Sequence, residues 1–486
     1  SQALVGFQST LQNTAQQVSA IGSALNGAQS TLQQGAQALQ TQAQASLQQQ
    51  QQNNTQAGQI RQAYLQAHLR EQNQLECREC AANLGAYCAP AGPFINSRVT
   101  ACMTGVYDVP IACSRSQFTL TNTAPMAAYR GAGRPIMSAL LERLVTHAAR
   151  ELGMDEAALR RKNMIPRDKF PYTLVNGIVY DSGDPQAVLD DAVKASNWND
   201  RAAFDKRRAE AKARGKLLGR GMGCCIESTG AGNVPDQVDV RCEADGTFSM
   251  YAVSHASGQG HETTFAQIVS DVTGLPMESL RLKEGDPGHR LIGNGTGGSR
   301  STHGAGSVLQ LAGIEIVKKG MALAAKDLEA AESDIEFKAG EYRIKGTDRR
   351  VSLATLAKKH GGTGALDVKQ ESKIGPTFPN GCHIAEVEID PQTGVVDVIS
   401  YLACDDAGNI ISHELVEGQM HGGLAQGIGQ VLQELALYDH ETGQLLSGSY
   451  MDYAMPRAGF LKGVKLMDHP VPTPTNPLGA KGVGEA

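Results

Sequence analysis

The stretch VPTPTNPLGAKGVG at 471–484 constrains the chain more than any other. Pro472, Pro474 and Pro477 each fix φ, remove an amide donor and push the residue before them into extended geometry. Gly479, Gly482 and Gly484 then allow positive φ and close approach of the backbone to another group. No helix or strand interior tolerates this density, so the segment is a shaped loop. Glu485, the residue directly after it, is the one acid carried by this loop. A carboxylate carried on such a loop can act as a general base, although a lone Glu is more often a solvated surface group.

The other end of the chain is built differently. Residues 1 to 60 contain no Asp, Glu, Lys, Arg or His and are rich in Gln, Ala and Ser. Leu4, Leu11, Val18, Leu25, Leu32 and Leu39 recur every seven residues, the spacing of a coiled-coil seam. The seam lacks charged flanks to fix its register. Two readings follow: a helix that joins copies of the chain, and a low-complexity Gln-rich tail. The heptad spacing predicts self-association of residues 1–75, readable by circular dichroism and sedimentation. A monomeric, non-helical peptide at high concentration would rule it out.

Between these ends the chain is long enough for two to four domains, and 41% apolar residues support a sizeable core. The net charge of −6 gives no case for nucleic acid as a partner. No run approaches the roughly 20 apolar residues of a membrane span, and no basic n-region marks a signal peptide. Ten scattered cysteines suit a reducing compartment, so a cytoplasmic location is expected. Cys77 and Cys80 form one C-x-x-C pair without the further partners that a metal or redox site needs.

Composition breaks near Glu76 and again between 200 and 215. Val99 to Tyr107 and Gln117 to Thr121 read as strands. Met137, Leu140, Leu141, Leu144, Val145 and Ala148 recur at helical spacing. Further helices are predicted at Asp155–Asn163, with Asp155 as N-cap, and at Asp184–Ser196 and Arg201–Arg214. Beyond Gly219, strands alternate with helices. Hairpins are predicted at 238–254 and 383–402, and helices at 262–273, 304–332 and 414–437. The mixture predicts an α+β fold of mixed α/β layers rather than a dinucleotide-binding sheet.

Gly-rich loops also occur at 257–261 and 293–298, where backbone amides could cradle phosphate or pterin groups. None has the spacing of a P-loop or of a dinucleotide fingerprint. Six motifs follow in order: NTAPMAAYRGAGRP (122–135), SGQGHETTFAQIVSDVTG (257–274), GTGGSRST (295–302), CHIAEVEIDPQTG (382–394), VEGQMHGGLAQGIGQ (416–430) and the terminal TPTNPLGAKGVGE. Through them the chain from about Ala81 resembles a known family, the molybdopterin-binding large subunit of the xanthine dehydrogenase and aldehyde oxidase type.

The resemblance implies two molybdopterin-binding domains: 76–200, the C-terminal part of the first, and 215–486, the second. Residues 1–75 lie outside it. It implies a molybdopterin cofactor with molybdenum, in the cytosine dinucleotide form. Glu485 becomes the base and Arg130 the residue that steadies substrate and developing negative charge. Gln259 and Gly260 lie beside the pterin, Gly297, Gly298 and Ser299 near the metal, and Gln426 supplies a second pterin amide. No side chain is expected to ligate metal. The implied reaction oxidises an aldehyde or N-heterocycle with oxygen from water. The electrons leave through 2Fe-2S and FAD centres on partner subunits, since this chain has no iron–sulfur cysteine pattern. The family's N-terminal Gly-Gly-Gly-Phe-Gly loop does not occur in this sequence, and the family continues past Glu485. A fragment, a fusion and an inactive relative are all compatible with that pattern. The alternative function is a non-enzymatic assembly protein with an oligomerising N-terminal helix and a degenerate enzyme domain.

Overall fold

The computed structural model describes residues 76–86, 98–230 and 234–485. The heptad segment lies outside them. The chain enters at strand β1 (Glu76–Gly85), which pairs in parallel with β2 (Ala112–Leu120). Helix α1 (Arg134–Glu151) starts after Gly133, whose φ is 96°, with Pro135 in the first turn. Helix α2 (Glu156–Asn163) is capped by the Asp155 carboxylate, which accepts from the amides of Ala157 and Ala158. A small ribbon of β3 (Tyr172–Thr173) and β4 (Val179–Tyr180) leads to α3 (Pro185–Ala195) and α4 (Arg201–Ala213).

The strands β5 (Leu217–Ile226), β6 (Asp236–Cys242), β7 (Phe248–Ala252) and β8 (Leu280–Glu284) follow, with α5 (His261–Thr273) between the last two. Helix α6 (Ser307–Asp327) precedes β9 (Ile335–Lys338), β10 (Glu341–Ile344), β11 (Arg350–Ser352), α7 (Leu353–His360) and β12 (Val368–Ser372). The long hairpin β13 (Asn380–Ile389) and β14 (Val396–Asp406), then α8 (His413–Leu432), α9 (Tyr450–Tyr453) and β15 (Val464–Asp468), complete the order.

Two four-stranded sheets carry the molecule, ordered β12-β6-β7-β8 and β15-β14-β13-β5. Each has its own core. Helices α5 and α6 cover the first, and Phe248, Met250, Phe265, Val269, Leu309 and Ile316 are fully buried between them. Helix α3 packs on β13 and β14, while α1 packs on β5. Here Tyr180, Leu189, Trp198 and Phe378 are buried with Cys224, Cys382 and Cys404. Those three cysteines are cross-strand neighbours in one row, and all are free thiols. This second core draws residues from both sides of the 200–215 break, and Glu76–Ala486 form one compact unit.

The α+β expectation matches this architecture, and both predicted hairpins are present. One segment differs. Residues 98–101 are helical and 102–106 turn, where a strand was expected. Val99 and Met103 are four apart, so one helical turn sends both against Met137. A strand would also put them on one face, but about 13 Å apart, too far to meet one side chain together.

Candidate functional site

The terminal loop is held at nearly every residue. Gly479 takes φ 64°, and the Asn476 amide donates to the Ala480 carbonyl at 2.9 Å. Leu478 and Ala480 are buried in the first core. Lys481 is fully buried and donates to Asp406 Oδ2 at 2.6 Å and to the Ser182 carbonyl at 3.0 Å. Asp406 ends β14, so the loop is fastened to the second sheet as well. At Gly482 the chain passes the 295–299 loop so closely that a Cβ would lie 2.1 Å from the Ser299 carbonyl oxygen. Only glycine fits there.

This approach brings Glu485 into a polar cluster. Ser299 Oγ donates to Glu485 Oε2 at 3.1 Å, and Arg134 Nη2 lies 3.3 Å from the same oxygen. The same Arg134 nitrogen is 2.5 Å from Oε1 of the buried Glu227, at the end of β5. Burial, followed by the charge of Glu485, pushes the Glu227 carboxyl up from its usual 4.5 to about 8, against the pull of Arg134. Glu227 is therefore held largely protonated at neutral pH.

Linkage gives this group a testable sign. Between pH 4.5 and about 8 the native chain keeps a proton that the unfolded chain has released. Stability contributed by Glu227 is complete below that window and falls as pH rises through it, by roughly 1.4 kcal/mol for each step of one in pH. Glu227→Gln is expected to flatten the decline. Urea unfolding at pH 5, 6.5 and 8.5 checks this, and parallel wild-type and variant curves would refute it.

Glu485 sits between two cavities. The first, about 530 Å³, is lined by Arg130, Gln259, Gly297, Gly298, Ser299 and the 480–485 loop among others. The second, about 460 Å³ and mostly apolar, is bordered by Arg134, Glu227, His383, Leu424 and Glu485 among others. Arg130 Nη2 donates to the Gln419 carbonyl at 2.7 Å, and its Nη1 to Gln426 Oε1 at 3.2 Å, which ties it to α8. Burial lowers the pKa of its guanidinium. Gln426 thus faces Arg130 and is not among the residues lining either cavity. Gly260, at φ 79°, forms the N-terminal cap of α5 against Leu415 rather than cavity wall. The Gln259 amide nitrogen is 3.0 Å from His261 Nε2.

Arg134 and Glu227 escaped sequence reasoning. Arg134 lies inside the AYRGAGRP motif, four residues after Arg130. Glu227 follows an apolar strand, and a single acid at a strand end carries no periodic signal.

A site built from three glycine-rich loops between two mixed sheets defines a class, and the comparisons give the same class. Two family models, each described as a molybdopterin cofactor-binding domain, match residues 191–461 and 50–164. The chain belongs to the molybdopterin-binding large-subunit family of the xanthine dehydrogenase and aldehyde oxidase type. Among its relatives, the carbon monoxide dehydrogenase large chain of Hydrogenophaga pseudoflava is 35% identical over 407 residues, 79% of this chain and 50% of the relative. The nicotine 6-hydroxylase large subunit of Paenarthrobacter nicotinovorans is 33% identical over 405 residues, 79% of this chain and 49% of the relative. The crystal structure of quinoline 2-oxidoreductase from Pseudomonas putida 86 superposes with a TM-score of 0.78 at 32% identity, covering 85% of this chain and 55% of that one. The chain spans about half the length of the relatives it matches.

The residues present fit a pterin cofactor in the first cavity. Gly297 has open space where a Cβ would stand, and Gly298 meets only the Gly230 backbone, so this loop can lie against a planar ligand. Arg130 Nε is buried without a hydrogen-bond partner at the cavity wall, as is Nδ1 of His261. Such donors are costly unless something else satisfies them. No helix among the described residues is long and apolar enough to cross a membrane.

Proposed function

We propose that this chain carries the catalytic residues of a molybdenum-dependent hydroxylase that oxidises an aldehyde or an N-heterocycle with water as the oxygen source. The observation that carries this reading is Glu485, a carboxylate on a fastened loop, bonded by Ser299 and Arg134 where two cavities meet it. The molybdopterin group, in its cytosine dinucleotide form, would supply the two-electron redox centre.

Gln259, Gly260, Gly297, Gly298, Ser299 and Gln426 are proposed to hold that group: Gln259 and the 297–299 backbone directly, Gly260 by setting the turn into α5, and Gln426 through Arg130. Glu485 accepts a proton at Oε1 or Oε2. Ser299 and Arg134 fix the direction from which it does so. Arg134 pairs with the Glu485 carboxylate and also donates to the protonated Glu227 carboxyl. Arg130 lends its guanidinium charge to anionic groups forming in the first cavity. The apolar chamber would bind a flat, weakly polar substrate and exclude bulk water, which strengthens each of these charges. Iron–sulfur (2Fe-2S) and FAD subunits in the cytoplasm would take the electrons.

Metal and pterin analysis of the purified protein tests the reading. Near-stoichiometric molybdenum with a pterin nucleotide is expected. Absence of both, under conditions that load a relative, would leave the assembly-protein reading instead.

A further inference from the structure

The floor of the apolar chamber holds a donor set that the hydroxylase reading does not use. Cys225 on β5, Gly381 on β13 and Asp405 on β14 are directly cross-strand neighbours, in one row across three strands. Paired residues in a sheet point to one face, and His383, two residues beyond Gly381, points there too. Cys225 and Asp405 stand two strand spacings apart, about 9.6 Å between backbones. Gly381 closes that gap. It has no side chain, and a Cβ there would lie 1.9 Å from Asp405 Oδ1, so the carboxylate fills the place above it.

The result is convergence of three different donor atoms. One ligand atom each from Cys225, His383 and Asp405 lies within 4.8 Å of the others. His383 Nε2 is 3.1 Å from both Asp405 oxygens, while its Nδ1 is 3.1 Å from the Tyr401 hydroxyl. If Nδ1–H donates to Tyr401, the Nε2 lone pair faces the carboxylate. Such an arrangement is stable with a cation between them. A hydrogen bond from the far ring nitrogen is also what orients a histidine toward metal.

We propose that Cys225, His383 and Asp405 form a three-ligand site for a zinc-class divalent metal, open to the apolar chamber at its fourth position. Metal–ligand distances of about 2.0–2.3 Å require the three atoms to draw together by roughly an ångström, within side-chain rotation. One sulfur, one nitrogen and one oxygen donor suit a borderline-soft ion rather than magnesium or calcium, which take oxygen ligands. Three protein ligands with an open position is the pattern of a reactive rather than a structural zinc site. The donors are separate from the residues proposed to hold the pterin, so the site stands whether or not molybdenum is bound.

Cobalt(II) substitution tests it on the full chain. Metal-free protein titrated with cobalt should develop a thiolate-to-cobalt charge-transfer band and intense d–d bands, one equivalent per chain, reversed by added zinc. Cys225→Ser should abolish the charge-transfer band, and His383→Ala or Asp405→Asn should weaken cobalt binding at least tenfold, with circular dichroism unchanged. Cys77→Ser serves as the control and should alter nothing. The proposal fails if no charge-transfer band forms, if it survives Cys225→Ser, or if it disappears in Cys77→Ser. Molybdenum content, measured in the same samples, reports separately on the hydroxylase reading.

Discussion

Glu485→Gln should slow reduction of the loaded cofactor by about 10²–10⁴-fold, the range for loss of a positioned general base. The amide has the same shape, and its oxygen can still accept from Ser299 and Arg134, which now lie 3.1 and 3.3 Å from Glu485 Oε2. It cannot take a proton at useful pH, so the deficit belongs to the chemical step rather than to binding. Single-turnover reduction by an aldehyde or an N-heterocycle, with molybdenum measured in each sample, separates the two. Molybdenum content should be unchanged. Equal rates in wild type and variant would remove Glu485 from the mechanism.

Lys481→Met should destabilise the chain by about 3–5 kcal/mol, because it strands one charge of a buried pair. Both side chains are inaccessible to water, and Lys481 Nζ supplies the bond to Asp406 Oδ2 at 2.6 Å. Asn380 also donates to that oxygen, and the Gly408 and Val471 amides donate to Oδ1, but all three are neutral donors. The urea midpoint should fall with little change in the slope. Replacing the acid too, as Lys481→Met with Asp406→Asn, should recover part of the loss by removing the orphaned charge while Oδ1 still accepts from the Gly408 and Val471 amides. A single-variant cost below about 1 kcal/mol would show that the pair does not hold the loop.

Much of this architecture is legible in the sequence alone. Periodicity locates α1, and the Asp155 cap locates α2, because both signals are local. The hairpin β13–β14 is readable from alternation around a Pro-Gly turn region. The glycine-rich loops are visible as composition, yet the reason for Gly482 is not. Its constraint is the Ser299 carbonyl, 183 positions earlier in the chain, and no local rule reports a contact of that range. Glu227 is invisible for the same cause: its titration is raised by burial and Glu485 against the pull of Arg134, all of which meet it only in three dimensions. The segment at 98–106 misleads because a short apolar run suits a strand or a helical turn equally.

The central sheet also shows how strictly strand alignment is enforced. Cys224, Cys382 and Cys404 face the apolar core, while the next residues along β5 and β14, Cys225 and Asp405, face the chamber. A slip of one position would exchange the two faces. On β5 the exchange would trade one thiol for another, but it would also lift Met222 and Ile226 out of the core. On β14 it would drive the Asp405 carboxylate into hydrocarbon and lift Cys404 into its place, severing the contact with His383. Alignment fidelity therefore rests on both strands, and a folding error at the acidic end of β14 would be felt as buried charge in addition to lost packing.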